Sequence, residues 1–229
     1  MIEVELKFEI PSDARTLLQT KLDTMLAQPL GQADNVDTYY DTASFDCLQQ
    51  AVFVRIRNRQ HLEIKYHEHA DPAHMHTTER VFPLESGPLM VKEMNTQCSH
   101  FIPRWQQAGT IEEAIRINGL TEFARIEKRR TQYAYENLTL CVDSVEELGD
   151  FFEVEIHCEE ETKIEQAIKK LQDFVASLAF PALRPVEVGY VELWLRLHLP
   201  QVYQLGKYQE EGYSMEYKNN KMSHDNGRR

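Results

Sequence analysis

The chain has 229 residues, 25 of them lysine or arginine and 37 aspartate or glutamate; the resulting formal charge of −12 excludes a general nucleic-acid surface and an anionic-membrane binder, so any basic site is local. At 42% hydrophobic residues it can bury one sizeable core, which excludes both a disordered chain and a disulfide-stapled miniprotein. Cys47, Cys98, Cys141 and Cys158 form no close pair and no apolar run nears the ~20 residues that cross a bilayer, so reduced thiols and a cytoplasmic location are expected.

Taken in chain order, IEVELKFEI comes first. Ile2, Val4, Leu6 and Phe8 alternate with Glu3, Glu5, Lys7 and Glu9, which predicts a strand with one apolar face and one charged face. Pro11 and Ser12 end it, and Ala14, Leu17, Leu18, Leu22 and Met25 then recur at helical spacing as far as about Ala27. From Asn35 to Tyr66 the segments NVDTYYDT, AVFVRIRNR and HLEIKY read as extended, with a turn near Gln60. Another extended piece is expected from Thr77 to Leu84, after the loop HEHADPAHMH.

Pro88 to Gln97 and Thr110 to Ile117 read as helices, the second opened by a capping box of Thr110 and Glu113. Strands follow over Ala124 to Tyr135, Leu138 to Ser144 and Phe151 to His157, then a helix from Lys163 to Leu178. Pro185 leads into VEVGYVELWLRLHL, which reads as one last amphipathic helix. Residues 1–200 are expected to form one domain and 201–229 a C-terminal extension, mobile after Gly206 because it lacks an apolar period. The order of elements predicts an antiparallel α+β domain.

The charges are sorted by strand face. Glu3 and Glu5, and again Glu153 and Glu155, stand two residues apart, so each pair shares one side of its strand and is close enough to share a hard cation. Asp143 extends this set, with Cys141 on its face. Arg55, Arg57, Lys65, Lys128 and Arg130 repeat the pattern with the opposite sign. On the concave face of a closed sheet, such charges must neutralise one another or a ligand, and a polyphosphate with divalent cations satisfies both sets.

Other features carry less chemistry. His61, His67, His69, His74 and His76 form a dense run that reads as a solvated loop, with Asp71 and Pro72 marking a turn. Tyr39 and Tyr40 read as core and rim packing. The sequence contains no glycine-rich phosphate loop, no GxSxG and no HExxH, so any phosphate must be held by side chains.

With these segments in this order, the chain resembles the CYTH superfamily, the triphosphate tunnel metalloenzymes that include thiamine triphosphatase, inorganic triphosphatases and class IV adenylyl cyclases. EVELK at 3–7 matches the ExExK signature. DTYYDT (37–42), FVRIR (53–57), LEIK (62–65), Glu79, EKRRTQY (127–133) and VDSVEELGDFFEVE (142–155) follow in the family's order, over about residues 1–195.

The resemblance implies an eight-stranded antiparallel β-barrel, open as a tunnel and flanked by helices. It implies that Glu3, Glu5, Asp143, Glu153 and Glu155, with Glu79 in addition, hold Mg²⁺ or Mn²⁺ directly or support the residues that do. Lys7, Arg55, Arg57, Lys65, Lys128 and Arg130 would grip the substrate, and Glu3, Glu5, Lys7 and Lys65 would carry the catalysis. The family's C-terminal Lys, beside a Tyr or Ser, is missing from VEVGYVEL, and either Arg184 or Tyr190 is expected to replace it.

The implied reaction is hydrolysis of thiamine triphosphate or inorganic triphosphate, and WLRLHLPQVYQ near the C-terminus also resembles the thiamine triphosphatase branch. A class IV adenylyl cyclase and a non-catalytic polyphosphate-binding module are the alternatives. The implied partner is a small triphosphate, with no nucleic acid and no membrane; the sequence does not set the oligomeric state.

Overall fold

The computed structural model describes residues 2–66 and 76–206. Its elements are β1 (Ile2–Ile10), α1 (Arg15–Thr24), β2 (Gln28–Asp41), β3 (Phe53–Arg57), β4 (His61–Tyr66) and β5 (His76–Pro83), then α2 (Pro88–Phe101), α3 (Ile111–Ile117), β6 (Thr121–Tyr135), β7 (Leu138–Val145) and β8 (Gly149–Cys158). The chain continues through α4 (Ile164–Leu178), β9 (Arg184–Val186), α5 (Tyr190–His198) and α6 (Pro200–Tyr203). Of the histidine run only His61 and His76 fall within the described residues; His67, His69, His74 and the tail after Gly206 lie outside them.

All pairings are antiparallel, in the order β5-β4-β3-β2-β6-β7-β8-β1, and the sheet closes where Ile2 to Val4 of β1 meet Thr78 to His76 of β5. Eight strands thus make a barrel. Along its other edge β1 pairs with β8 over its whole length, from Ile2 opposite Cys158 to Ile10 opposite Asp150. Because β5 covers only three residues of β1, the rest of that edge is open to a further strand, and β9 takes it by pairing Lys7 to Glu9 with Val186 to Arg184.

The barrel is apolar outside and charged inside. Val4, Phe8, Leu140, Val142, Phe152 and Val154 point outward into a core completed by Leu18 and Leu22 of α1 and by Ala167, Leu171, Phe174 and Leu178 of α4. Those four α4 residues recur at intervals of four, three and four, the stripe a helix needs to cover a sheet. On the opposite side α2 and α3 place Val91, Met94 and Ile111 over Val54, Leu62, Ile64 and Phe82. A third cluster joins Ala124, Ile126, Val145 and Phe151 to Tyr190, Val191 and Leu195 of α5. Each fully buried Leu or Phe of the two outer clusters contributes about 1.5–3 kcal/mol of transfer free energy, while the third cluster lies on the same strand faces as the charges and fills one end of the barrel interior.

Two expectations need correction. The stretch VEVGYVELWLRLHL is not one helix: Val186 belongs to β9 and α5 starts only at Tyr190. The open edge of β1 recruits the backbone of residues 184–186, and strand pairing overrides the amphipathic period there. Glu192 then accepts a hydrogen bond from the Gly189 N–H at 2.8 Å and fixes where the helix begins. The α3 cap is also shifted: Glu113 N–H donates to Thr110 Oγ1 at 3.1 Å, but the Glu113 carboxylate accepts from Gly109, one residue earlier than a capping box requires.

Candidate active site in the barrel interior

Strand alternation carries one side chain in two into the tunnel. The inward set is Glu3, Glu5 and Lys7 on β1, Asp37 and Tyr39 on β2, Arg55 and Arg57 on β3, Glu63 and Lys65 on β4, and Glu79 on β5. Lys128 and Arg130 come from β6, Cys141 and Asp143 from β7, and Glu153 and Glu155 from β8. Most of them line a single cavity of about 600 Å³, whose wall is completed by residues 185–192.

The cations and carboxylates interleave. On one wall Arg130 donates through Nε to Asp143 Oδ1 at 2.8 Å and through Nη2 to Asp143 Oδ2 at 2.7 Å. The same guanidinium reaches Glu155 Oε1 at 3.3 Å and also pairs with Glu153. Asp143 Oδ2 further accepts from Lys128 Nζ at 3.1 Å and from the Tyr190 hydroxyl at 3.0 Å. Next to this group Lys7 pairs with Glu5 at 2.8 Å and Glu153 at 3.3 Å, and Lys65 with Glu3 at 3.3 Å and Glu5 at 3.6 Å.

The opposite wall is held by arginines. Arg57 grips Asp37 with two hydrogen bonds, at 2.7 and 2.9 Å. Arg55 binds Glu63 at 2.7 Å, Glu79 at 3.0 Å and the Tyr39 hydroxyl at 3.3 Å. A fork-shaped guanidinium suits this arrangement, because it can serve several oxygens at once and still present N–H groups to an anion.

These contacts set the protonation states. Burial pushes the Asp37 carboxyl up, but Arg55 and Arg57 outweigh it and hold Asp37 well below the ordinary carboxylate range. Burial and the charge of Glu3 drive Glu155 up to about 8. Its neighbour Glu153 is raised by burial and by Glu5, yet Arg130 and Lys7 bring it down to about 2. For Glu3, burial is outweighed by Lys65, and the carboxyl lies below its usual value. Lys7 and Lys65 are destabilised as cations by burial but raised overall by their glutamates. Lys128 is lowered, by burial first and by Arg130 second.

The six carboxylates expected to hold metal therefore divide. One oxygen each from Glu3, Glu5 and Glu155 lie within 4.8 Å of one another, an all-oxygen group of the hardness Mg²⁺ and Mn²⁺ require. Glu153 converges instead with Glu155 and Cys141. Burial drives the Cys141 thiol far up, so it stays protonated and is a poor ligand for a hard cation. Asp143 is fully enclosed and engaged by Arg130, Lys128 and Tyr190, while Glu79 stands beside Arg55.

Arg184 does not take the place expected of it. Its register opposite Glu9 leaves it exposed, and the tunnel wall at that point begins with Pro185. Asp37, Glu63 and Cys141 join the interior although none had been assigned a site role, and of the two residues considered for the missing C-terminal Lys it is Tyr190 that lines the tunnel. The first two lay within reach of the same two-residue spacing, from Tyr39 and Lys65 respectively. Spacing did not choose Tyr190 over Arg184, because the direction of each is set by the way β9 and α5 dock.

A closed antiparallel barrel that is apolar outside and lined with paired cations and carboxylates is a tunnel built for a charged ligand. The chain belongs to the CYTH domain family, whose sequence profile matches residues 1–190. Solved structures share the fold. The PH1819 protein of Pyrococcus horikoshii OT3 superposes with a TM-score of 0.62 at 22% identity, covering 85% of this chain and 99% of its own. The Hippeastrum protein HpAC1, described with a dominant triphosphatase activity, gives 0.56 at 18% identity over 88% and 98% of the two chains. A candidate adenylate cyclase from Vibrio parahaemolyticus gives 0.57 at 15% identity over 85% and 98%. Among curated proteins none matches the chain significantly. No helix among the described residues is long and apolar enough to cross a membrane.

Proposed function

We propose that this protein hydrolyses a small triphosphate, thiamine triphosphate or inorganic triphosphate, with Mg²⁺ or Mn²⁺ held by Glu3, Glu5 and Glu155. One observation carries the reading: six cationic side chains and a three-carboxylate group meet in one cavity of about 600 Å³. A bound divalent ion supplies charge neutralisation at phosphate oxygens and acidifies water.

The chain's own residues do the rest. Arg55 and Arg57 on one wall and Lys7, Lys65, Lys128 and Arg130 on the other hold an extended anion between them and stabilise charge on the transferred phosphoryl group and the leaving diphosphate. Asp37, Glu63 and Asp143 orient the arginines. Burial and Glu3 raise the Glu155 carboxyl, so joining Glu3 and Glu5 around a cation would require it to give up its proton. Glu79, beside Arg55, and Glu153, beside Arg130, tune the guanidinium positions, which gives them and Asp143 a supporting role in place of direct ligation.

The test is to incubate the purified full chain with thiamine triphosphate, inorganic triphosphate or ATP, each with Mg²⁺ or Mn²⁺, and to identify the products. Release of phosphate from either of the first two, dependent on metal, is the expected result. Cyclic AMP from ATP would replace the hydrolase by a cyclase. Tight binding without turnover would make the tunnel a polyphosphate-binding module.

A further inference from the structure

Tyr190 opens α5, and its side chain meets four strands at once. Lys7 Nζ lies over the ring, 4.6 Å from its centroid, and Lys128 Nζ at 4.9 Å. The hydroxyl donates to Asp143 Oδ2 at 3.0 Å, and Phe151 packs against the ring edge-on at 5.0 Å. Those partners stand on β1, β6, β7 and β8, which are consecutive in the barrel. The ring is buried, and its place is fixed by the Glu192 to Gly189 hydrogen bond at the start of the helix.

Two ammonium groups buried at one ring pose an electrostatic problem. Lys7 has Glu5 and Glu153 as counter-charges, and Lys128 has Asp143. A further carboxylate would hold both lysines more firmly, but would turn a negative charge toward an incoming polyanion. An aromatic face attracts ammonium groups through its quadrupole and carries no formal charge. It can restrain two lysines without repelling phosphate.

We propose that the ring of Tyr190 is a positioning residue for triphosphate binding, holding the Lys7 and Lys128 ammonium groups where they meet phosphate oxygens; this rests on the triphosphate reading above. The ring matters more than the hydroxyl. Asp143 Oδ2 also accepts from Arg130 and Lys128, so it keeps donors when the hydroxyl is removed.

The experiment places phenylalanine, then mono-, di- and trifluorophenylalanine, at position 190 of the full chain, a nearly isosteric series that drains the ring of π density. Binding of tripolyphosphate is measured by calorimetry in EDTA, where no turnover occurs. Tyr190→Phe should bind within about twofold of the unaltered protein, and affinity should then fall stepwise to about tenfold weaker at three fluorines. The same series in a Lys7→Met and Lys128→Met background should be flat, as double-mutant logic requires. A flat series in the native background, or the full loss already present in Tyr190→Phe, would overturn the proposal while leaving the triphosphate reading intact. Failure of the unaltered protein to bind tripolyphosphate would remove that reading, and the proposal with it.

Discussion

Asp37 shows what a single tunnel residue contributes. It is almost fully buried, at 2% exposure, and is clasped by Arg57 and Arg55. Its folded pKa lies below its unfolded one, so its stabilisation is complete above the unfolded value of about 4 and is lost as the pH falls toward the folded value. Asp37→Asn should therefore lower stability at neutral pH and decline less steeply than the native protein below about pH 4. Urea unfolding over a pH series measures this, and parallel curves would refute it. The paired glutamates of β1 belong to the chemistry instead. Glu3→Gln with Glu5→Gln should reduce metal-dependent phosphate release at least a hundredfold, on the order of one lost metal site, with an unchanged circular dichroism spectrum. Full activity in that variant would remove the metal assignment. Glu3, Glu5, Glu153 and Glu155 were readable beforehand because a period of two assigns a face without any knowledge of the fold. Choosing among them was not possible, since Glu155 converges with Glu3 and Glu5 only when β8 and β1 lie side by side.

At the scale of elements, α4 and the tunnel lie on opposite faces of the sheet. Leu171 of α4 is fully enclosed against the outer face of the sheet. Leu171→Ala should cost about 2–5 kcal/mol in denaturant unfolding. Tripolyphosphate affinity at low temperature should meanwhile change less than twofold, because the cavity left behind opens outside the barrel; a tenfold loss of affinity would show that the outer core sets the tunnel geometry. The α4 helix itself was plain from the sequence, its apolar stripe lying within one element. The strand β9 was not. Three residues carry no recognisable period, and only the short reach of β5 along β1 creates the edge they fill. The first half of β2 was missed for a related reason: Gln28 to Asp34 lacks alternation, yet pairs with β6 around an irregularity between Pro29 and Gly31.

For the whole molecule, a polyanion bridging both walls should stabilise the fold by mass action. Tripolyphosphate with Mg²⁺ at a hundred times its dissociation constant should add about 2.7 kcal/mol and raise Tm accordingly. Orthophosphate at equal concentration spans only one wall and should raise Tm far less. Equal shifts from the two anions would mean that Arg55 and Arg57 on one side and Arg130 on the other do not act on one extended ligand.

The sequence by itself determined the two-faced strands, the sign of charge on each, the helices that cover the apolar side and the order of motifs that marks the family. All of these are local: a strand face needs only its own alternation, and a helix stripe only its own period. Tertiary structure decided which charges meet. It paired acidic β1 with acidic β8 and drew Glu155 into the Glu3 and Glu5 group. It buried Asp143 among Arg130, Lys128 and Tyr190, and it left Arg184 outside the tunnel while bringing Tyr190 in. Electrostatic partnership depends on distance through space, and that distance exists only once the barrel is closed.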